Sequence, residues 1–433
     1  MNKEPFTIEE ASSTYQLATD NCGLQKGYKQ TEVGVIPKEW DARQLKEIIF
    51  ITHGFAFASK HFANHGQFRL TTPGHFYEKG GFRDIGEKQK FYIGPILSDY
   101  VLQPSDMIIA MTEQADGLLG SAALIPEIDC YLHNQRLGRV SAISSQINLC
   151  YLFYVFNSEK YRAKVRETAA GTKVKHTSPD KLLEIAVCLP PLTEQTAIAN
   201  ALSDIDALLA KLDQLIAKKR DLKQAAMQQL LTGQIRLPGF SKEWVVKQLG
   251  EVFTISAGKS KSAYIIAGGR HWIVDMGSVS TDGRLIVSKP TNYSGDFLKI
   301  GDLVMPKDDI GGGGIIGKVG YIDTDKTYVL GDHVYRLTAN MGNPLFLSYV
   351  INGYRTNTEL RKKVIGSAQL GLGRKSVNEQ EVPFPPYNEQ TAIATILSNM
   401  DTEISTIEAR RDKTKDLKQG MMQELLTGRI RLI

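Results

Sequence analysis

Residues 190–237 read PPLTEQTAIANALSDIDALLAKLDQLIAKKRDLKQAAMQQLLTGQIRL, and residues 385–432 read PPYNEQTAIATILSNMDTEISTIEARRDKTKDLKQGMMQELLTGRIRL. The two passages lie about 195 residues apart and align without a gap, so the chain is built twice and internal symmetry precedes the reading of any single residue. Each passage opens as a helix opens. Thr193 and Asn388 follow Pro-Pro and suit a capping role, accepting from free N–H groups of the first turn. Glu194 and Glu389 come next, favourable near the positive end of the helix dipole. Each passage also closes as a helix closes, with Gly233 and Gly428 after Leu-Leu-Thr at a position suited to left-handed backbone. About forty proline-free residues lie between, a rod of roughly 57 Å at about 1.5 Å per residue.

The rods are amphipathic with a seven-residue period. Ile198, Ile205, Leu208, Leu212, Leu215 and Leu222 form the expected seam of the first, widened by Leu202, Leu209 and Ile216. The second offers Ile393, Ile396, Leu397, Met400, Ile404, Ile407, Leu417, Met421 and Leu425. Each helix alone would expose a long apolar stripe, and packing the two on each other as a coiled coil removes both stripes from water. The alternative is two separate helices, each buried on its own domain.

Working outward, the segments before each rod also correspond. Lys38-Glu39-Trp40 matches Lys242-Glu243-Trp244, Ile51–Gly54 matches Ile255–Gly258, Gly120 matches Gly317, and Gly171 matches Gly366. These segments are short β-branched and aromatic runs broken by Gly, Pro, Asn and Asp, with helical stretches predicted over Tyr151–Thr168 and Pro344–Val364. The order is therefore globular, rod, globular, rod, and each globular part is expected to be α+β (mixed α/β). The repeated rods are nearly unchanged while the loops differ: Phe55–Phe62 against Lys259–Tyr264, and Met111–Gly117 against Pro306–Gly312. Such a pattern suggests one job done twice by the rods and two different jobs done by the loops.

Chemistry-bearing motifs are fragmentary. Phe384-Pro385-Pro386-Tyr387 places Phe where an adenine-N6 methyltransferase needs a hydrogen-bonding residue, and Pro-Pro is better read as the entry to a helix. Ala257-Gly258-Lys259-Ser260 lacks the earlier glycine of a P-loop. Gly311–Gly314 could cradle a phosphate but reads better as a loop tip. His61 and His65 stand without the glutamate of a zinc-protease helix, and no catalytic dyad or metal cluster emerges. Neither a catalytic residue nor a metal ligand is assigned, and an enzyme is disfavoured. The four cysteines, Cys22, Cys130, Cys150 and Cys188, show no CxxC spacing and suit a reducing compartment. With no signal-type N-terminus and no apolar run long enough to span a bilayer, a cytoplasmic protein with no membrane partner is expected. A net charge of +5 permits a polyanionic partner without demanding one. Basic residues with polar and aromatic company do recur at matching places in the divergent loops: Lys60, His61, Asn64, Gln67 and Arg69 in the first, and Lys259, Lys261, Tyr264, Arg270 and His271, with Lys307, in the second. These are side-chain types that read base edges or contact phosphates, and they are the candidate DNA-binding residues.

Pro-Pro-x-x-Glu-Gln (190–195, 385–390), Leu-Lys-Gln (222–224, 417–419) and Leu-Leu-Thr-Gly-x-Ile-Arg-Leu (230–237, 425–432), together with the Lys-Glu-Trp entries, resemble the specificity subunit of type I restriction–modification systems from about Gly27 to the end. The resemblance implies two target-recognition domains, residues 27–189 and 238–384, and two antiparallel helices, 190–237 and 385–433, in a pseudo-two-fold repeat. Residues 1–26 form an N-terminal arm without a counterpart. It implies that each domain binds one half of a bipartite double-stranded DNA site in the major groove, and that the helices set the spacer and dock two modification subunits. It further implies no catalysis and no cofactor in this chain: S-adenosylmethionine, ATP and Mg would belong to partner subunits, and restriction subunits could join. The alternative is a duplicated-domain DNA methyltransferase or nuclease with its own activity.

Overall fold

The computed structural model describes residues 26–113, 117–126, 130–169, 171, 175–366 and 370–432. The N-terminal arm therefore lies, but for its last residue, outside the described residues. Two continuous helices of 39 residues each, Leu192–Leu230 and Tyr387–Leu425, match the two rods. The chain divides into two compact units, one of residues up to Lys211 together with Arg411 onward, the other of Leu212–Arg410. Both division points fall inside the rods. Each unit therefore combines one globular part with one end of each helix.

The helix starts differ from the capping expectation. Thr193 and Asn388 lie inside the first turn, because the helices begin at Leu192 and Tyr387. Pro191 and Pro386 hold the place before the helix, and their carbonyls accept from Glu194 N and Glu389 N at 3.0 and 2.9 Å. Gln195 and Gln390 then fold back, donating to Pro190 O and Pro385 O at 2.8 and 2.7 Å. The far ends follow expectation: Gly233 and Gly428 both have φ of 71°, a region that costs a side chain about 1–2 kcal/mol and glycine nothing.

In each unit the helix ends run antiparallel and share a core with the globular part. In the first, Ile198 and Leu202 meet Leu425, Leu426, Met421 and Met422. In the second, Ile393, Leu397 and Met400 meet Leu230, Leu231, Ala226 and Met227. Burying each such side chain contributes about 1.5–3 kcal/mol. The seam expectation needs a correction at Leu215 and Leu222, which are 39% and 48% exposed, whereas Leu202, Leu212 and Ile216 are buried. The inward row of the first rod runs Ile198, Leu202, Ile205, Leu209, Leu212, Ile216, alternating four and three residues, with Ile205 and Leu209 partly buried and the other four buried. Leu208, Leu215 and Leu222 form a second apolar row beside it, and only one of two adjacent rows can face inward. On the second rod Ile393 and Ile404 are buried, Met400 and Ile407 partly so.

The globular parts share a frame. Each has a four-stranded antiparallel sheet: Ala122–Leu124, Met107–Ala110, Leu137–Ala142 and Ile49–His53 in spatial order in the first unit, and Gly320–Tyr321, Leu303–Pro306, Val334–Ala339 and Phe253–Ala257 in the second. Alternation sets the faces: Ile49 and Ile51 point inward, as do Phe253 and Ile255. A second sheet is attached, five-stranded in the first unit and three-stranded in the second, each holding one parallel pair: Phe68–Leu70 with Tyr131–Leu132, and His271–Val274 with Tyr328–Leu330.

The stretches predicted as single helices are broken in two, Leu149–Phe156 and Glu159–Thr168, then Pro344–Asn352 and Tyr354–Lys362. At each break an asparagine carboxamide leaves the helix and pairs with strand backbone. Asn157 bonds both N and O of Ala122, at 3.0 and 3.1 Å, and Asn352 bonds both N and O of Val319, at 2.8 Å each. Gly80 and Gly283, both left-handed, pass so close that any Cβ would overlap these carboxamides.

Candidate nucleic-acid interface

The repeated motifs converge on one buried carboxylate per unit. Trp40 Nε1 donates to Glu194 at 2.8 Å, and Arg431 donates to the same carboxylate through Nε at 2.7 Å and Nη2 at 2.9 Å. In the other unit Trp244 Nε1 donates to Glu389 at 3.0 Å, and Arg236 through Nε at 2.6 Å and Nη2 at 2.7 Å. Each guanidinium also lies over its indole, at 5.8 and 5.4 Å. The carboxylate hydrogen bonds hold both arginines above their ordinary range. Fork-to-fork geometry fixes angle as well as distance, so each globular part is set firmly on its helix ends.

A second conserved arrangement lies further along. Tyr154 donates to Asp206 at 2.9 Å while Lys418 pairs with Asp206 at 2.6 Å and lies 5.6 Å from the tyrosine ring. Tyr349, Asp401 and Lys223 repeat it at 2.7, 2.5 and 5.2 Å, with the rods' roles exchanged. Burial and the adjacent carboxylate raise both phenols well above their ordinary range, so each remains a donor. These residues were all present at matching places in the sequence, Glu, Arg, Asp and Lys at an offset of 195 and Trp at 204. Their pairing across the chain was not.

The recognition candidates occupy the parts where the units differ. Lys60, Asn64 and Gln67 are exposed, with Asn64 accepting from Lys90 Nζ at 3.2 Å. His61 is half-buried and meets Tyr92 edge-on at 5.7 Å. Arg69 donates to the Tyr131 hydroxyl at 3.2 Å, a bond that raises its pKa. In the second unit Lys259, Tyr264 and Arg270 are exposed and Lys307 is half-buried. Lys261 is not available: it is 5% exposed, pairs with Asp296 at 2.9 Å and lies 5.2 Å from the Tyr293 ring. It braces its loop from inside, using a charge that the sequence pattern had placed outside. The glycine-rich loop is held at its base by Asp309, which accepts from Gly311 N at 2.6 Å and Ile315 N at 3.2 Å.

At one end of the four-stranded sheet, the same loops meet in both units. Gly54 N donates to Leu137 O and Gly258 N to Val334 O, at 3.4 and 3.3 Å; Met111 N donates to Arg136 O and Lys307 N to His333 O, at 3.3 and 3.0 Å. Thr177 N donates to Met111 O and Leu372 N to Lys307 O, at 3.0 and 2.7 Å. Backbone makes the frame, and side chains project from it. Among the described residues no group of three or more His, Cys, Asp or Glu could hold a metal ion, and no helix is long and apolar enough to cross a membrane.

Two diverged α/β units on a repeated helical frame define an internally duplicated, two-unit protein. The type I restriction modification DNA specificity domain matches residues 37–218 and again 241–415, so the chain belongs to the family of type I restriction–modification specificity subunits. The putative type I restriction enzyme MjaX specificity subunit of Methanocaldococcus jannaschii is 25% identical over 94% of this chain and 97% of its own length. The MjaVIII specificity subunit of the same organism is 29% identical over 55% of this chain, and the match spans about half (56%) of that relative. The crystal structure of the S subunit from M. genitalium superposes with a TM-score of 0.58 at 16% identity, covering 89% of this chain and 96% of that one. A chain from a study of complex assembly and conformational transition of the type I system gives 0.53, also at 16%, covering 91% and 99%. These two likenesses concern the fold.

Proposed function

We propose that this chain is the non-catalytic, sequence-reading subunit of a type I complex, each unit reading one half of a bipartite duplex target through the major groove. The observation that carries the reading is the contrast within one frame: identical carboxylate clasps at the helix ends, different side chains on the loops. A clasp used twice gives two recognition surfaces of fixed pose, and different loops give two different half-sites. The rods set the spacer, and their repeated outer faces, with Leu222 and Leu417 exposed at matching positions, dock two modification subunits. S-adenosylmethionine, ATP and Mg belong to partner subunits, including any restriction subunits, and the complex works in the cytoplasm.

The test is selection from randomised duplexes by the full chain assembled with its modification subunits, followed by sequencing. The expected outcome is an enriched sequence in two parts with a fixed gap. A single contiguous motif, or none, overturns the reading. Methyl transfer by the purified chain alone would instead favour a duplicated methyltransferase. Inserting two helical turns after Lys219 should lengthen the gap and leave both half-sites unchanged.

A further inference from the structure

We propose that Arg136 and His333, neither of them in a sequence motif, are specificity-determining side chains, one for each half-site; this rests on the reading above. They occupy the same place. Each ends the tight turn that enters the central strand of its sheet, at Leu137 and Val334, and each gives its carbonyl to the neighbouring loop, to Met111 N and Lys307 N.

The turns are rigid. In the first unit, Asn134 Oδ1 accepts from Arg136 N at 3.3 Å, and the buried His133 Nε2 bonds Leu137 O at 3.0 Å. Gly54 lies so close beneath that a Cβ would overlap the Asn134 carbonyl, and Gly258 stands in the same relation to Gly331. A base reader needs such a platform, because discrimination between base pairs depends on hydrogen-bond geometry.

On this shared platform the side chains are exposed and different. An arginine there can fork onto guanine O6 and N7. His333 is held in left-handed backbone, φ 59°, which only a small share of non-glycine residues adopt, and its Nδ1 bonds Asp308 at 2.7 Å, while its Nε2, 4.0 Å from the Asp332 carboxylate and so beyond hydrogen-bond distance of it, can meet a base edge. The surroundings suit a polyanion: Lys259 follows Gly258, Lys307 bonds His333 through its backbone, and Lys175 bonds Glu113 N through its carbonyl beside Arg136. Of the carboxylates present, Glu113 pairs with Lys175 at 3.5 Å and Asp308 with His333, while Asp332 stands beside the histidine at 4.0 Å.

The experiment repeats the randomised-duplex selection with the full complex carrying Arg136→Ala, Arg136→Lys or His333→Gly. Glycine keeps the left-handed backbone without strain, and each variant's thermal transition is compared with the parent's. Arg136→Ala is expected to flatten preference at one base pair of one half-site by roughly tenfold or more, with Arg136→Lys between it and the parent. His333→Gly is expected to do the same in the other half-site only. Unchanged preference at every position, or an even loss of affinity with the parental motif intact, overturns the assignment and leaves the bipartite reading standing. A parent that selects no two-part motif overturns both.

Discussion

In one unit Glu194 holds Trp40 and Arg431; in the other Glu389 holds Trp244 and Arg236, at distances that differ by 0.2 Å or less. The attached second sheets share far less. One has five strands and the other three; Arg69 on the first bonds the Tyr131 hydroxyl, whereas in the second unit the buried Lys261, off the sheet, pairs with the exposed Asp296. Interactions that set pose tolerate little change, because a misplaced carboxylate would leave a buried indole N–H and a guanidinium unpaired. Loops that face outward can change without that penalty. The same frame can therefore carry two different sets of loops.

The comparison is most severely tested at the clasps. Glu194→Ala should destabilise its own unit by about 3 kcal/mol, because it strands the buried Trp40 indole N–H, and Glu389→Ala should cost the other unit less, because Trp244 and Arg236 are only partly buried. Hydrogen exchange should show the loss confined to the unit that carries the change; equal loss in both would mean that the units are not separately stabilised.

Acid should separate the units next. Burial pushes His133 down to about 4, whereas Leu330 stands at the corresponding position of the other unit. The folded value lies below the unfolded one near 6.5, so the unfolded chain binds the extra proton. The contribution is complete above about pH 6.5 and is lost as pH falls to about 4, of order 3 kcal/mol. Burial lowers His75, in the same unit, as well. Between those pH values the first unit should melt earlier, and His133→Asn should shrink the difference.

Asn157→Ala and Asn352→Ala should each cost about 1–3 kcal/mol, since both leave strand backbone unpaired. Unequal losses measured by chemical denaturation would show that the helix break serves one unit more than the other. Asp206→Asn and Asp401→Asn should have the smallest effect, about 1 kcal/mol each, read from double-mutant cycles with Lys418 and Lys223.

The rods were legible because periodicity, Pro-Pro entries and Gly233/Gly428 exits are local signals. Which of two adjacent leucine rows faces inward was not, since Leu212 and Leu215 are the same residue type and only packing distinguishes them. Caps were misread for a related reason: Thr193 and Asn388 are capping types, yet Pro191 and Pro386 already occupy the capping place. Lys261 shows the limit for the recognition loops. Charge predicts exposure until a partner such as Asp296, far along the chain, stabilises burial.

The unit of residues 212–410 is one unbroken stretch of chain, whereas the other needs Arg431 from near the end of the sequence to close on Glu194. During synthesis from the N-terminus, the domain made first is thus the one completed last. A nascent chain that has passed Arg410 and not yet reached Arg431 therefore holds one unit with all of its residues and another whose Glu194 still lacks its guanidinium.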